Sequence, residues 1–139
     1  MNPRIAAIGL LVIFAVYGSA SEPITLSDRV EVLQGIDTET TELVGKLIES
    51  NKATPDSLRS LYEKYQFAVK VATLGYRKAT ESEVLMGCAE TDGDKAEAIA
   101  SQVQGFRLLD KAIKFHQRVL DDLKKLNAKP APPKGSREA

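Results

Sequence analysis

Three amphipathic segments follow one another along the chain, each with apolar residues at helical spacing. The first runs from about Ser27 to Asn51, with Ser27 as the predicted N-cap and Asp28 in the first turn. Gly35 and several threonines weaken the middle of this segment, because they are poor helix formers. Its apolar stripe consists of Val30, Leu33, Ile36, Leu43, Val44, Leu47 and Ile48.

The second segment has the clearest start signal, because Thr54 can cap a helix whose first residue is Pro55. A wide apolar stripe follows from Leu58 to Tyr76. The pattern Thr80-Glu81-Ser82-Glu83 resembles a second helix start, so one continuous helix and two pieces with a break near Thr80 both stay open. The stripe includes the small residues Ala68, Ala72, Gly75 and Ala79. Their size predicts that another helix approaches closely there.

The third segment starts with Asp94 as the predicted N-cap and Glu97 as its partner, and it ends near Ala128. Its apolar residues repeat every seven positions, which is typical of a coiled coil. No segment alternates as a strand would, so the predicted fold is an all-α, antiparallel three-helix bundle running up-down-up. The predicted core seam consists of Ile99, Phe106, Ile113 and Leu120, with Leu109, His116 and Leu123 between them.

Both ends of the chain differ from the amphipathic segments. Arg4, the apolar run from Ile5 to Val16 and the small residues up to Ala20 form the pattern of a secretory signal peptide. The run is too short to cross a bilayer, so we expect no transmembrane segment and a secreted, extracellular protein. The predicted organisation is a signal peptide over 1–20, a helical bundle domain over 21–128 and a disordered, Pro-rich tail over 129–139.

The composition offers few side chains for catalysis. A chain of 139 residues with one His and one Cys has few ways to build a catalytic triad or a zinc site. No phosphate-binding loop, dinucleotide-binding fingerprint or hydrolase motif occurs. We therefore expect a protein that is not an enzyme, with no catalytic residue, no cofactor and no metal site.

The single histidine and the single cysteine each allow two interpretations. His116 lies on the predicted core seam, where we expect a partly buried imidazole, and a pH-sensing role is the alternative. Cys88 lies at the end of the second segment, in a chain expected to enter an oxidising compartment. A buried, inert thiol is the favoured interpretation of Cys88, and an intermolecular disulfide is the alternative.

Charge is distributed unevenly although 19 basic residues balance 19 acidic ones. Residues 24–51 carry a net charge of −4, and residues 95–129 carry +4. Overall neutrality argues against a nucleic-acid partner. A solvated surface that complements the acidic first helix is the favoured interpretation of the basic residues, and contact with a polyanion or an anionic membrane is the alternative. The candidate polyanion face consists of Arg107, Lys111, Lys114, Arg118 and Lys125.

Two functional hypotheses follow. The first helix is the shortest and should leave the far end of the other two uncovered. The leading hypothesis is therefore that the chain acts by binding a protein or another macromolecule, or by self-association. The alternative is a carrier of a small apolar ligand held between the helices. The candidate partner patch is Val84, Leu85, Met86 and Ile99. The candidate ligand space lies near Ala72 and Gly75, beside Tyr62, Tyr65 and Tyr76.

Overall fold

A computed structural model describes residues 24–130 as three helices packed against each other, with no strand in that range. The helices are α1 (Leu26–Glu49), α2 (Pro55–Cys88) and α3 (Asp92–Ala128). The prediction of an all-helical bundle is therefore confirmed for this part of the chain. The predicted signal peptide lies outside the described residues, as does the predicted tail from residue 131 onward.

Each helix begins after a threonine whose hydroxyl caps the first turn. In α1 the Thr25 hydroxyl accepts a hydrogen bond from the Asp28 amide at 3.0 Å, and the Asp28 carboxylate accepts one from the Thr25 amide at 3.1 Å. Thr54 and Thr91 make the same reciprocal arrangement at the starts of α2 and α3. These pairs satisfy amide groups that the first helical turn leaves without partners.

The predicted cap at Thr54 is confirmed, whereas the predicted caps Ser27 and Asp94 are wrong. Ser27 is the second helical residue after the cap Thr25, and Asp94 is the third helical residue and serves as partner to the cap Thr91. Backbone amides of residues 90 and 91 donate to its carboxylate and hold the pKa of Asp94 below its usual value. A carboxylate next to a helix start can be the cap or the partner of the cap, and here it is the partner.

α2 continues without a break past Thr80, so the alternative with two pieces is wrong. The Thr80 hydroxyl donates to the Arg77 carbonyl at 3.0 Å and does not cap a new helix. Ala79 and Ser82 on the neighbouring turns are buried, and the backbone of Ala79 lies against Gly105 of α3. Packing against α3 therefore favours a continuous helix over the restart that the local residues allow.

The backbones of α2 and α3 meet directly at Gly75 and Gly105. A Cβ atom added to Gly75 would lie 2.9 Å from the Gly105 carbonyl oxygen. A Cβ atom added to Gly105 would lie 2.7 Å from the backbone nitrogen of Ala79. Both distances are shorter than van der Waals contact allows, so only glycine fits at either position. The close approach predicted from the small residues of α2 is confirmed.

The buried seam of α3 is shifted by one residue from part of the predicted heptad. Ile99 is half exposed and Phe106 and Ile113 are only partly buried, so this half of the prediction is wrong. The other half, with Leu109, His116, Leu120 and Leu123, is buried as predicted. Close contact with α2 leaves room only for small side chains at this seam. The buried seven-residue repeat of α3 therefore consists of Ala98, Gly105, Ala112 and Val119.

α1 packs mainly on α3 and is anchored near both of its ends. Near its start, the Arg29 guanidinium lies 4.1 Å above the Phe106 ring and donates to both carboxylate oxygens of Asp110, at 2.9 and 3.3 Å. Near its end, Leu47 is buried in a cluster with Leu61 of α2 and two residues of α3. Contact between α1 and α2 is weak, and a groove remains between them.

Candidate functional site

An apolar groove of about 590 Å³ lies between α1 and α2. Its volume falls in the range of roughly 300–1,000 Å³ that ligand-binding pockets occupy. α3 closes the bottom of the groove with Val119 and Leu123. The walls are formed by Thr40, Thr41 and Val44 of α1 and by Leu58, Arg59, Leu61, Tyr62 and Tyr65 of α2.

The groove includes only part of the predicted ligand space. Tyr62 and Tyr65 line it, as expected. Gly75 does not, because α3 lies directly against it and leaves no space there. Tyr76 is half exposed and, like Ala72, is not part of the lining. The prediction missed Val44 and Leu58, whose apolar side chains on helical stripes were assigned to the core because spacing alone cannot separate a wall from a core.

A polar cluster joins the three helices beside the groove. The Tyr65 hydroxyl of α2 donates a hydrogen bond to the Asp37 carboxylate of α1, which raises the pKa of Tyr65 to about 12. The edge of the Tyr65 ring faces His116 of α3, with centroids 5.4 Å apart. His116 is buried as predicted, and its Nδ1 has no hydrogen-bond partner within the described part of the chain. Burial lowers the pKa of His116, and the negative charge of Asp37 partly opposes this effect.

The buried histidine predicts a pH dependence of stability. Because its folded-state pKa is below 6.5, His116 contributes full stability above that value and loses it as the pH falls below it. We expect His116→Leu to flatten the decrease in melting temperature between about pH 7 and pH 5. Asp28 and Asp94, whose pKa values are also lowered, lose their stabilisation only near and below 3.8. An unchanged pH profile in His116→Leu would contradict the assignment.

The candidate partner patch is exposed at the end of the bundle where α2 meets α3. Val84 is 67% exposed and Ile99 is 50% exposed, and Leu85 and Met86 are also exposed. Near the start of α1, Arg29 contacts α3 at Phe106 and Asp110, which come more than one helical turn after Ile99 along α3. Exposed large apolar side chains that form a contiguous patch are typical of a binding site, so these four residues stay the candidate partner patch.

Cys88 is exposed, next to this patch, so the favoured interpretation as a buried thiol is wrong. It is the last residue of α2, where the chain leaves the interface with α3. An intermolecular disulfide stays a prediction.

All five residues of the candidate polyanion face are exposed on α3. Of these, Arg118 lies with its guanidinium 5.7 Å from the centroid of the Phe115 ring. Phe115 in turn contacts Phe67 of α2, with ring centroids 5.4 Å apart. Phe67 is 55% exposed.

Other kinds of site find no support among residues 24–130. No three His, Cys, Asp or Glu side chains in this range are grouped as metal ligands are. None of the three helices is long and apolar enough to cross a membrane. Comparison of the chain with protein-family models, curated proteins and solved structures gave no significant match.

Proposed function

We propose that this chain is a secreted, non-enzymatic helical protein that binds a protein partner at the exposed end of α2 and α3. The observation that carries the proposal is the partner patch, where Val84 and Ile99 are exposed together with Leu85 and Met86. Covering such side chains releases roughly 25 cal/mol for each Å² of apolar surface, so a matching partner gains free energy from this end. The apolar run after Arg4 supports secretion.

The proposal takes the bundle to be antiparallel and up-down-up. Contacts at different levels of the α2 and α3 interface support this arrangement. Lys64 lies 3.8 Å from Asp122, and the Ser101 hydroxyl donates to the Lys78 carbonyl at 3.1 Å. In this arrangement the short connection between Cys88 and Asp92 would bring the end of α2, with Val84, close to the start of α3, with Ile99.

The partner patch is tested with the double variant Val84→Ser/Ile99→Ser. We expect it to keep the stability of the parent protein while its binding to proteins of the native fluid, or to itself, falls at least tenfold, since two apolar anchors are lost. Binding is measured by pull-down and by size-exclusion chromatography. Ile48→Ser is the matched control, because Ile48 is 59% exposed on α1, away from the patch. An inert monomer in every assay, or equal losses in both variants, would overturn the proposal.

The groove supports a second candidate function, a carrier of a small apolar ligand. Its lining is almost entirely apolar, and α3 closes it on one side. Mass spectrometry of gently extracted protein should then detect a bound apolar molecule that Leu58→Trp, which fills the groove, displaces. Absence of any bound molecule in the unaltered protein would contradict this function.

A further inference from the structure

Phe67 and Phe115 lie on the side of the α2 and α3 pair that faces away from α1. Phe115 follows Phe106 by nine residues, which is two and a half helical turns, so the two side chains leave α3 on opposite sides. Phe106 lies under Arg29 of α1, and Phe115 therefore points away from α1. On α2, Tyr65 contacts Asp37 of α1, and Phe67 is two residues further on, more than half a turn around the helix.

Large apolar side chains are exposed on this side. Phe67 is 55% exposed, and Leu74, two turns further along α2, is 49% exposed. The partly buried Phe115 ring rests against Phe67 and joins the two helices into one apolar strip. No described helix covers the strip, because α1 packs on the other side of α3.

The strip is bordered by basic residues. Residues 64–80 hold four bases and no acid, and residues 98–120 hold four bases and one acid, Asp110. Asp110 is already bound by Arg29 of α1, so it does not balance the basic side chains here. Lys70, Lys111 and Arg118 form no ion pair with any described residue. We call these three bases together with Phe67, Leu74 and Phe115 the aromatic–basic face.

This combination matches a bilayer surface better than a soluble polyanion. Aromatic and aliphatic side chains partition into the boundary between lipid headgroups and acyl chains, while lysine and arginine extend toward the phosphate groups. Each base close to an anionic membrane strengthens binding by about fivefold. A soluble polyanion would use the charges alone and would gain nothing from exposed Phe67 and Leu74.

We infer that the aromatic–basic face binds the surface of a bilayer that contains anionic lipids, with Phe67 and Leu74 inserted and Lys70, Lys111 and Arg118 at the phosphates. The inference goes beyond the proposed protein partner and does not depend on it, because the partner patch lies at the end of the bundle. It gives the basic surface of α3 a specific role.

Vesicle binding tests the charge requirement. Co-sedimentation of the full chain is measured with phosphatidylcholine vesicles, with and without phosphatidylserine. The apolar run near the N-terminus should contribute equally to binding of both vesicle types. Stronger binding to vesicles with phosphatidylserine therefore measures the contribution of the aromatic–basic face. Lys111→Gln/Arg118→Gln should lower binding to anionic vesicles about thirtyfold. Lys95→Gln/Lys129→Gln is the matched control, since it removes the same charge from exposed positions elsewhere, and we expect a much smaller loss.

Insertion is tested with tryptophan, which the chain lacks. Phe67→Trp should shift its fluorescence to shorter wavelength on anionic vesicles, whereas Tyr62→Trp, on the groove side, should not. Equal binding to both vesicle types, or equal losses in the two double variants, would overturn the inference. Loss of heparin binding in Lys111→Gln/Arg118→Gln with unchanged vesicle binding would assign the face to a soluble polyanion and also overturn it.

Discussion

Gly105→Ala should lower the free energy of unfolding by about 2 kcal/mol, a large effect for one added methyl group. The new Cβ would lie 2.7 Å from the Ala79 nitrogen and 2.8 Å from the Gly75 carbonyl oxygen. Both are backbone atoms, so no side chain can move aside and the helices themselves must separate. Thermal unfolding followed by circular dichroism measures the effect, which corresponds to a decrease in melting temperature on the order of 10 °C.

The matched control is Gly45→Ala in α1. A Cβ atom there has nothing within 4 Å, and alanine favours a helix over glycine by about 1 kcal/mol. We therefore expect Gly45→Ala to raise the stability while Gly105→Ala lowers it. The difference between the two variants isolates the contact with α2 from the intrinsic preference for alanine. Equal changes in both would show that the α2 and α3 backbones do not touch at Gly105.

The contrast between these glycines shows what the sequence could predict about the fold. The small residues of α2 correctly predicted a close helix approach, because they form a stripe on one face. The corresponding stripe on α3 was missed, since Ile99, Phe106 and Ile113 lie one residue further along and dominate a count of large apolar residues. A hydrophobic repeat predicts roughly which face of a helix is buried. The distance between the two helix backbones then decides which side chains fit on that face.

The candidate surfaces were predictable to different degrees. The partner patch followed from helix lengths, because a shorter α1 must leave the end of a longer pair uncovered. The groove could not be predicted from helix lengths. It depends on the distance between α1 and α2, and the pattern of apolar residues does not encode that distance. The exposure of Cys88 was missed because it is the last residue of α2, where packing against α3 ends, and apolar spacing does not show where that packing ends.

Leu47→Ala should lower the free energy of unfolding by about 3 kcal/mol, because it removes a fully buried side chain and leaves a cavity. Leu47 packs with Leu61, Val119 and Leu123 and so joins α1 to both of the other helices. Because contact between α1 and α2 is otherwise weak, the loss should fall mainly on α1. Hydrogen exchange should show faster exchange in α1 than in the α2 and α3 pair.

Ile48→Ala is the matched control for this prediction. It removes an aliphatic side chain of the same size one position further along, from a site that is 59% exposed, and we expect a change within about 0.5 kcal/mol. Equal destabilisation by both variants would mean that Leu47 does not anchor α1. If only Leu47→Ala loosens α1, the wall of the groove can move without unfolding of the α2 and α3 pair. A ligand in the groove would then protect α1 amides from exchange, whereas a partner bound at Val84 and Ile99 would not.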